Sequence, residues 1–547
     1  MERKHNLLLL LLSILSGILL WLSWPPKNTT FLIFVAFVPL LMVVILLNQL
    51  HPKRPRFSLF LYVLAAMLIW NLLSTYWIYK ATLPGAVAAI ILNSLLMVLP
   101  FALYDIFKNS LKKESSFILL VIFWVSLEYL HFNWDLAWPW LTLGNSLATY
   151  INIVQWYEYT GVLGGSIWIW TVNILVFNLL RVILENKSKD FFTKYISKHA
   201  AILLFIILIP ILFSLFIAKR IQWQPSYNVL IVQPNIDPYN EKFSAGTFED
   251  QLDKLLRLSI SQADSNSSLL IWPETALSAS FDEETLNNDQ AINEIRLMLS
   301  RYPDLTLISG ISSYRFFGEN EKPTPTARYY KPWDKYYDSY NSAILLNTSD
   351  KYELYHKSRL VPGVEIMPYP QLFSFLSKLA IDLGGTSGSL GRQRQPSVFN
   401  IGNGVVVAPV ICYESIFGDY VAEFVRKGAN TIAVMTNDGW WGNTAGHRQH
   451  LYYARLLAVS HRRDIVRSAN TGISAYINLK GEVVEKSDWW IEGVIKQKIC
   501  INNELTFYSK YGDYLGRMSS IIAVLLLIIL LVFRIKLRID NPLKKQF

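Results

Sequence analysis

Eight apolar stretches constrain this chain more than any other feature of its sequence. Most of them approach the roughly 20 residues that a helix needs to cross a bilayer. They are Leu7–Trp24, Phe31–Leu47, Leu59–Ile78, Gly85–Ile106, Phe117–His131, Val162–Leu184, Ala201–Ala218 and Ser519–Phe533. The composition agrees, since 52% of the residues are hydrophobic and only 17% are charged. The sequence therefore predicts an all-α polytopic membrane domain of about eight transmembrane helices, in which Phe117–His131 is the shortest candidate and carries Glu128.

The basic residues predict how these helices are oriented. The formal net charge is +10, but the excess lies beside the apolar stretches, where basic residues set topology, so we expect no nucleic acid partner. With a cytoplasmic N-terminus, one side of the membrane receives nearly all basic loop residues and the tail from Arg534 to Lys545. The opposite short loops hold only Lys27 and Lys80. We expect a first helix that is retained rather than cleaved as a signal peptide, and an insert of about 300 residues outside the cytoplasm.

That insert has the pattern of an α/β fold. Short apolar runs typical of buried strands are Asn228–Asn235, Ser268–Thr275, Leu305–Ser312, Gly404–Glu414 and Asn430–Asp438. Phe248–Ala263 and Asp289–Tyr302 have helical periodicity, and Gly318–Asp338 reads as an aromatic-rich surface excursion. We predict a membrane domain over residues 1–218 with seven helices, an α/β domain over 219–517, and a last helix and cytoplasmic tail over 518–547.

Cys412 is one of only two cysteines, and it ends an apolar β-branched run. An inert core thiol is the ordinary interpretation of such a residue. A reactive thiol needs a base to take its proton and a cation to hold the anion. Glu274 and Lys357 lie at another strand end or in a loop and could supply both. We expect burial to raise the pKa of a carboxyl such as Glu274. A bridge to Cys500 is the other possibility, which we do not favour.

Three motifs in this order carry a resemblance to a known family. They are "WPETAL" (Trp272–Leu277), "HKSRLVPGVE" (His356–Glu365) and "CYES" (Cys412–Ser415). Together with "NDGWWGNTAGHRQH" (Asn437–His450), they resemble the nitrilase superfamily and its Glu-Lys-Cys triad. With the membrane segments added, the chain resembles the bacterial apolipoprotein N-acyltransferase family.

This resemblance implies an α/β fold, the αββα nitrilase-like sandwich, on a membrane base. It implies Glu274 as general base, Lys357 as the triad lysine and Cys412 as nucleophile. In a supporting role it implies Glu365, Tyr413 and Glu414.

The resemblance also implies an activity and a location. A phospholipid, with phosphatidylethanolamine the expected donor, would give an acyl chain to Cys412 as a thioester. The α-amino group of a diacylglyceryl-modified lipoprotein would then accept it. The expected place is the bacterial inner membrane with the catalytic domain in the periplasm, among membrane lipids, as a monomer without cofactor or metal.

Some residues depart from the family pattern or support weaker hypotheses. After "QPNI" (Gln233–Ile236) the family often has a tryptophan, for which this chain offers Phe243 nearby, and Ser460 stands where the family often has an acid. His447 and His450 lack a third ligand, so we expect no metal site. Trp440 and Trp441, like Tyr329, Tyr330 and Trp333, could face the bilayer or simply pack within loops.

Two other functions fit part of the sequence. A membrane-anchored nitrilase-type amidase acting on a small amide would use the same three residues, but one helix would suffice as its anchor. A transporter or scaffold whose outer domain only binds lipid or protein would not need Cys412.

Overall fold

Among the residues that the structure describes, seven α-helices form the first part of the chain. The computed structural model describes residues 2–50, 53–108, 116–185, 189–369 and 389–540. The helices are α1 (Glu2–Leu22), α2 (Val38–Leu50), α3 (Pro55–Thr75), α4 (Leu83–Phe107), α5 (Phe117–Phe132), α6 (Tyr157–Glu185) and α7 (Lys189–Arg220). They match the seven apolar stretches that precede the predicted insert.

The insert folds into strands and helices. In chain order they are β1 (Tyr227–Gln233), α8 (Phe248–Gln262), β2 (Leu269–Ile271), β3 (Leu277–Asp282), α9 (Gln290–Leu299), β4 (Thr306–Phe316), β5 (Arg328–Tyr330), β6 (Lys335–Leu346), β7 (Tyr352–His356), β8 (Phe399–Gly402), β9 (Val405–Ile411), α10 (Gly418–Arg426), β10 (Thr431–Thr436), α11 (Ala445–His461), β11 (Ile465–Ala469), β12 (Ala475–Ile477), β13 (Val483–Lys486) and β14 (Gly493–Ile499). The short α12 (Phe507–Tyr511) and the long α13 (Tyr514–Asp540) end the described chain.

These strands form two stacked sheets. In the described part of the domain, one sheet has eight strands with the order β14-β1-β2-β4-β6-β5, to which β3 and β7 are added. The other has six described strands in the order β13-β12-β11-β10-β9-β8. Because successive side chains of a strand point to opposite faces, β1 places Val229 in the core between the sheets and Leu230 against α8 and α9. On the outer face of the second sheet lie α10 and α11. The αββα sandwich predicted from the motifs is confirmed.

Within the described residues, seven helices are long and apolar enough to cross a membrane, the last being Tyr514–Val532 in α13. The one predicted segment outside this set, Phe117–His131, corresponds to α5, which has 16 residues. At 1.5 Å per residue it spans about 24 Å, less than a typical hydrocarbon core of about 30 Å. The chain is a membrane protein. The domain boundaries remain predictions, and the tail beyond Asp540 lies outside the described residues.

The predicted aromatic excursion is partly a β-hairpin. The strand β5 pairs with the start of β6, with Tyr329 opposite Tyr336, and their rings lie 5.3 Å apart. Aromatic pairs across two strands stabilise such a ribbon, which explains why β6 begins inside the segment that we interpreted as a surface excursion. Tyr329 and Trp333 are exposed, so a bilayer-facing role for them stays a prediction.

One face of α11 lies on the membrane domain. Gln449 donates to the carbonyls of Pro25 at 3.0 Å and Ser74 at 3.2 Å, and its Oε1 accepts from the Trp140 indole at 2.7 Å. One turn further on, the Tyr453 hydroxyl accepts from the Trp24 indole at 2.9 Å. Since unpaired polar groups are costly when buried, these bonds join the two parts of the chain.

A proline inside α7 is compensated by a side chain of α6. Pro210 has no N–H for the carbonyl of Ile206, four residues earlier. The Trp168 indole donates to that carbonyl at 2.8 Å. No water competes for such a group in the hydrocarbon region, so the indole stabilises the packing of α6 on α7.

We therefore expect Trp168→Phe to lower the stability of the purified protein in detergent, by about 1 kcal/mol. Thermal unfolding measures the loss. The matched control is Pro210→Ala, which returns a backbone N–H to Ile206. In that background Trp168→Phe should have a clearly smaller effect, and equal losses in both backgrounds would contradict the compensation.

Candidate active site

Three strand ends place the predicted triad around one cavity. Glu274 follows β2, Lys357 follows β7 directly and Cys412 follows β9 directly. The cavity has a volume of about 440 Å³ and is lined by all three. Part of its wall comes from the membrane domain, through Trp77 and Trp138. The site thus lies where the α/β sandwich meets the membrane helices.

Lys357 lies between two carboxylates. Its side chain is about 1% exposed, and Nζ lies 3.0 Å from Glu274 Oε1 and 2.9 Å from Glu365 Oε1. The amide nitrogen of Asn341 donates to the same two oxygens, at 2.9 Å and 3.0 Å. The other Glu365 oxygen accepts from the backbone N–H of Val361 at 2.8 Å. Such paired contacts are what a buried charge requires.

Cys412 has a left-handed backbone, with φ of 48°. This region is uncommon for residues other than glycine and marks a sharp turn, here from β9 into the short helix Cys412–Ile416. The turn leaves the thiol on the cavity wall. Cys412 and Cys500 are both free, so the bridge between them is absent.

The charges of the site set the resting protonation states. Burial and the Glu274 charge raise the pKa of Cys412, and Lys357 opposes them. Burial would also raise the pKa of Glu274, as we expected, but Lys357 and Asn341 outweigh it and the pKa is lowered. Burial lowers the pKa of Lys357, but Glu274 and Glu365 outweigh it, so the pKa is well above its ordinary value. The resting site holds a thiol, a carboxylate and an ammonium.

Glu414 is a structural centre beside the cavity. Its Oε1 accepts from the Tyr355 hydroxyl at 2.6 Å and from the backbone N–H groups of Ser358 at 2.7 Å and Arg359 at 3.2 Å. Its Oε2 accepts from the N–H of Ile411 at 2.9 Å. Glu414 therefore ties the turn after β9 to the segment that follows Lys357.

Tyr413 connects the nucleophile's turn to the membrane domain. Its hydroxyl donates to the carbonyl of Ala137 at 2.8 Å, and the ring is buried. Trp441 also reaches across, with its ring centroid 4.8 Å from that of Trp77. Trp441 thus packs within the cavity wall, while Phe243 stacks on Trp440 there.

Several residues that line the cavity, or that directly adjoin a lining residue, were not predicted from the sequence. Asn341 lies inside β6, where no motif distinguishes it. Lys242 is buried and donates to the backbone carbonyl of Glu274 at 2.8 Å. Thr436 and Asp438 come at and after the end of β10, where open α/β sheets place their sites, and that position is the one signal available for them.

The remaining predicted residues take no part in the contacts of Lys357, although His450 lines the cavity and its Nε2 lies 3.3 Å from the carbonyl oxygen of Cys412. Ser460 is buried on α11, where its carbonyl accepts from Thr506 at 2.7 Å. His447 stacks on Trp489 at 3.8 Å, whereas His450 lies 3.0 Å from Asp438. Among the described residues there is no group of three or more His, Cys, Asp or Glu suited to a metal.

Comparison with known proteins gives the family. The sequence model of the apolipoprotein N-acyltransferase N-terminal domain matches residues 16–175, and that of carbon-nitrogen hydrolase matches 229–503. An apolipoprotein N-acyltransferase of Chlorobaculum tepidum is 30% identical over 516 residues, which is 92% of each chain. This chain belongs to the apolipoprotein N-acyltransferase family. A family member from Geobacter metallireducens is 28% identical over 92% of this chain and 91% of its own. An amidase of the nitrilase superfamily from Nesterenkonia has a TM-score of 0.36 and 12% identity, covering 55% of this chain and 98% of its own.

Membership of this family confirms the resemblance predicted from the motifs and makes the chain an acyltransferase. The family is matched on both parts of the chain, the helical one and the α/β one, with the N-terminal model reaching into α6. An amidase would account only for the second part. The acyltransferase hypothesis is therefore favoured over the amidase.

Glu414→Gln tests the structural role of Glu414. The substitution puts an NH₂ group where the carboxylate has an oxygen atom. That group would face the N–H and O–H donors that now bond to Glu414, so at least one buried donor would lose its partner. We expect the free energy of unfolding to fall by about 2 kcal/mol. Glu353→Gln, on the exposed side of β7, is the matched control. Thermal melting of both variants measures the difference, and equal melting temperatures would refute the role.

Proposed function

We propose that this chain is an apolipoprotein N-acyltransferase that works through a thioester on Cys412. The donor is a phospholipid, with phosphatidylethanolamine the expected one. The acceptor is the α-amino group of a lipoprotein's N-terminal diacylglyceryl-cysteine. The observation that carries the proposal is the meeting of Glu274, Lys357 and Cys412 in one cavity that the membrane domain helps to line.

The first half-reaction would form the thioester. Glu274 takes the proton of the Cys412 thiol while the sulfur attacks the ester carbonyl of the phospholipid. The Lys357 ammonium stabilises the oxyanion that develops. When the intermediate collapses, the C–O bond breaks and the proton on Glu274 passes to the leaving lysophospholipid oxygen. The lowered pKa of Glu274 leaves it an ionised carboxylate at rest, which is the form that can accept the thiol proton.

The second half-reaction would reverse these proton movements. The amine of the acceptor attacks the thioester carbonyl and gives a proton to Glu274, and the C–S bond breaks. Cys412 leaves as thiolate and is reprotonated from Glu274. In this scheme Glu365 holds Lys357, and Tyr413 and Glu414 hold the turn that carries the thiol.

The location follows from the same chemistry. Both substrates are lipids, so the cavity must be open to molecules that reside in a bilayer. We infer the bacterial inner membrane, with the α/β sandwich on the periplasmic side and with the protein acting as a monomer. The basic residues of the short loops support this orientation.

Trapping the acyl group tests the thioester. Purified protein incubated with phospholipid, without acceptor, should gain one acyl chain on the Cys412 peptide, detected by mass spectrometry and removed by hydroxylamine. Cys412→Ala and Cys412→Ser should abolish acyl transfer, whereas Cys500→Ser, which removes the other thiol, should behave as the parent. Appreciable acyl transfer by Cys412→Ala would refute the nucleophile.

Two further variants in this experiment separate the base from the cation. Glu274→Gln removes the proton acceptor, so the thioester should hardly form. Lys357→Met should slow its formation by about 10²–10³. Thermal melting is recorded alongside, because a merely structural ion pair would lower the stability of both variants equally without a specific chemical defect.

Epitope tags test the topology. A tag after Phe547 should be reached only from the cytoplasm, and a tag at the exposed Lys322 should be digested by protease added to spheroplasts. The C-terminal tag in the same cells is the matched control. Protection of the Lys322 tag in intact spheroplasts would overturn the periplasmic assignment.

A further inference from the structure

A second polar cluster reaches Cys412 from β10, the strand that pairs with β9. Thr436, the last residue of β10, has its hydroxyl oxygen 3.3 Å from Cys412 Sγ and 2.8 Å from Asp438 Oδ1. A hydroxyl has one proton, so it cannot donate to both acceptors at once. Cys412 Sγ and Asp438 Oδ1 therefore compete for the hydroxyl proton. The atom that does not receive it needs another hydrogen-bond partner.

Asp438 is placed to accept the hydrogen bond of the Thr436 hydroxyl in the resting enzyme. It is fully buried, its Oδ1 lies 3.0 Å from His450 Nδ1, and its Oδ2 accepts from the Arg467 guanidinium. Arg467 keeps the pKa of Asp438 well below its usual range, even though burial acts to raise it. Asp438 is therefore a carboxylate, and it would keep two partners if the Thr436 hydroxyl turned away.

We propose that Thr436 is a further catalytic residue, whose hydroxyl donates to Asp438 while Cys412 is a thiol and to the sulfur when the thiolate forms. In the resting state the S–H donates to the hydroxyl oxygen and the O–H donates to the carboxylate. When Glu274 has taken the thiol proton, the O–H turns to Sγ; no further proton leaves or joins the pair.

The same donor would act in both half-reactions. The attacking sulfur and the sulfur that leaves the thioester each carry negative charge, and a hydrogen bond to an ion is stronger than one between neutral groups. Lys357 then remains free to stabilise the oxyanion. This inference rests on the proposed function only in taking Cys412 as the nucleophile.

Alkylation of the thiol tests the inference without any lipid substrate. The full-length protein in detergent is treated with iodoacetamide across a pH series, and the modification of Cys412 and Cys500 is followed by mass spectrometry in the same sample. The groups that bear charge toward Cys412 are Glu274, Lys357 and Asp438; all three stay in place in every variant. Cys500 serves as the internal control.

Thr436→Val keeps the shape of the side chain and removes the hydroxyl. We expect it to slow Cys412 alkylation near neutral pH by about tenfold or more and to move the midpoint of its pH profile upward, with Cys500 unchanged. Thr436→Ser retains a hydroxyl and should restore most of the rate. Thermal melting shows that each variant is folded.

Two results would overturn the proposal. One is a Thr436→Val variant with the parent's pH profile, and the other is a Thr436→Ser variant as slow as Thr436→Val. Both leave thioester formation on Cys412 intact, so failure of this inference is distinguishable from failure of the proposed function.

Discussion

The site depends on one buried ammonium. Lys357 is held between Glu274 and Glu365, and Asn341 donates to the same two oxygens. Removing a cation from water is costly, and only several close partners of opposite charge offset that cost. The arrangement keeps Lys357 charged, and the charged lysine in turn keeps Glu274 ionised. A thiol, a carboxylate and an ammonium can coexist in this cavity because Lys357 contacts both Glu274 and Glu365.

The position of the site follows from how the sandwich rests on the helices. The polar groups of α11, Gln449 and Tyr453, are bonded to backbone and indole groups of the membrane domain. Tyr413 adds a contact directly beside Cys412. The residue next to the thiol is therefore anchored to the part of the protein that meets lipid, which suits an acyltransferase whose substrates come from a bilayer.

Sequence patterns predicted the elements well and the contacts less well. The predicted strand Asn228–Asn235 corresponds to β1 (Tyr227–Gln233), and the predicted helix Phe248–Ala263 corresponds to α8 (Phe248–Gln262). A strand buried on both faces has a continuous apolar run, and a helix buried on one face has apolar residues at helical spacing, so both patterns are visible in the sequence. The segment Gly318–Asp338 was interpreted only as an aromatic-rich surface excursion, and its hairpin was not predicted, since a hairpin held by aromatic pairs has no clear alternation. The predicted direction of the Glu274 pKa shift was wrong. The prediction considered burial, which raises the pKa, but not the charge of Lys357, which lowers it.

The amino-acid sequence alone decides that this chain enters a membrane, that an α/β unit lies between the seventh and last apolar stretches, and that Cys412, Glu274 and Lys357 match a known motif. These properties depend on residue types and on spacing within short segments. Tertiary structure decides the rest. Glu274 and Lys357 are 83 residues apart, and the spacing between them contains no information about a distance of 3.0 Å. The placement of Thr436 between Cys412 and Asp438 likewise exists only once β9 and β10 are paired, because electrostatic and hydrogen-bond energies depend on distances that folding alone creates.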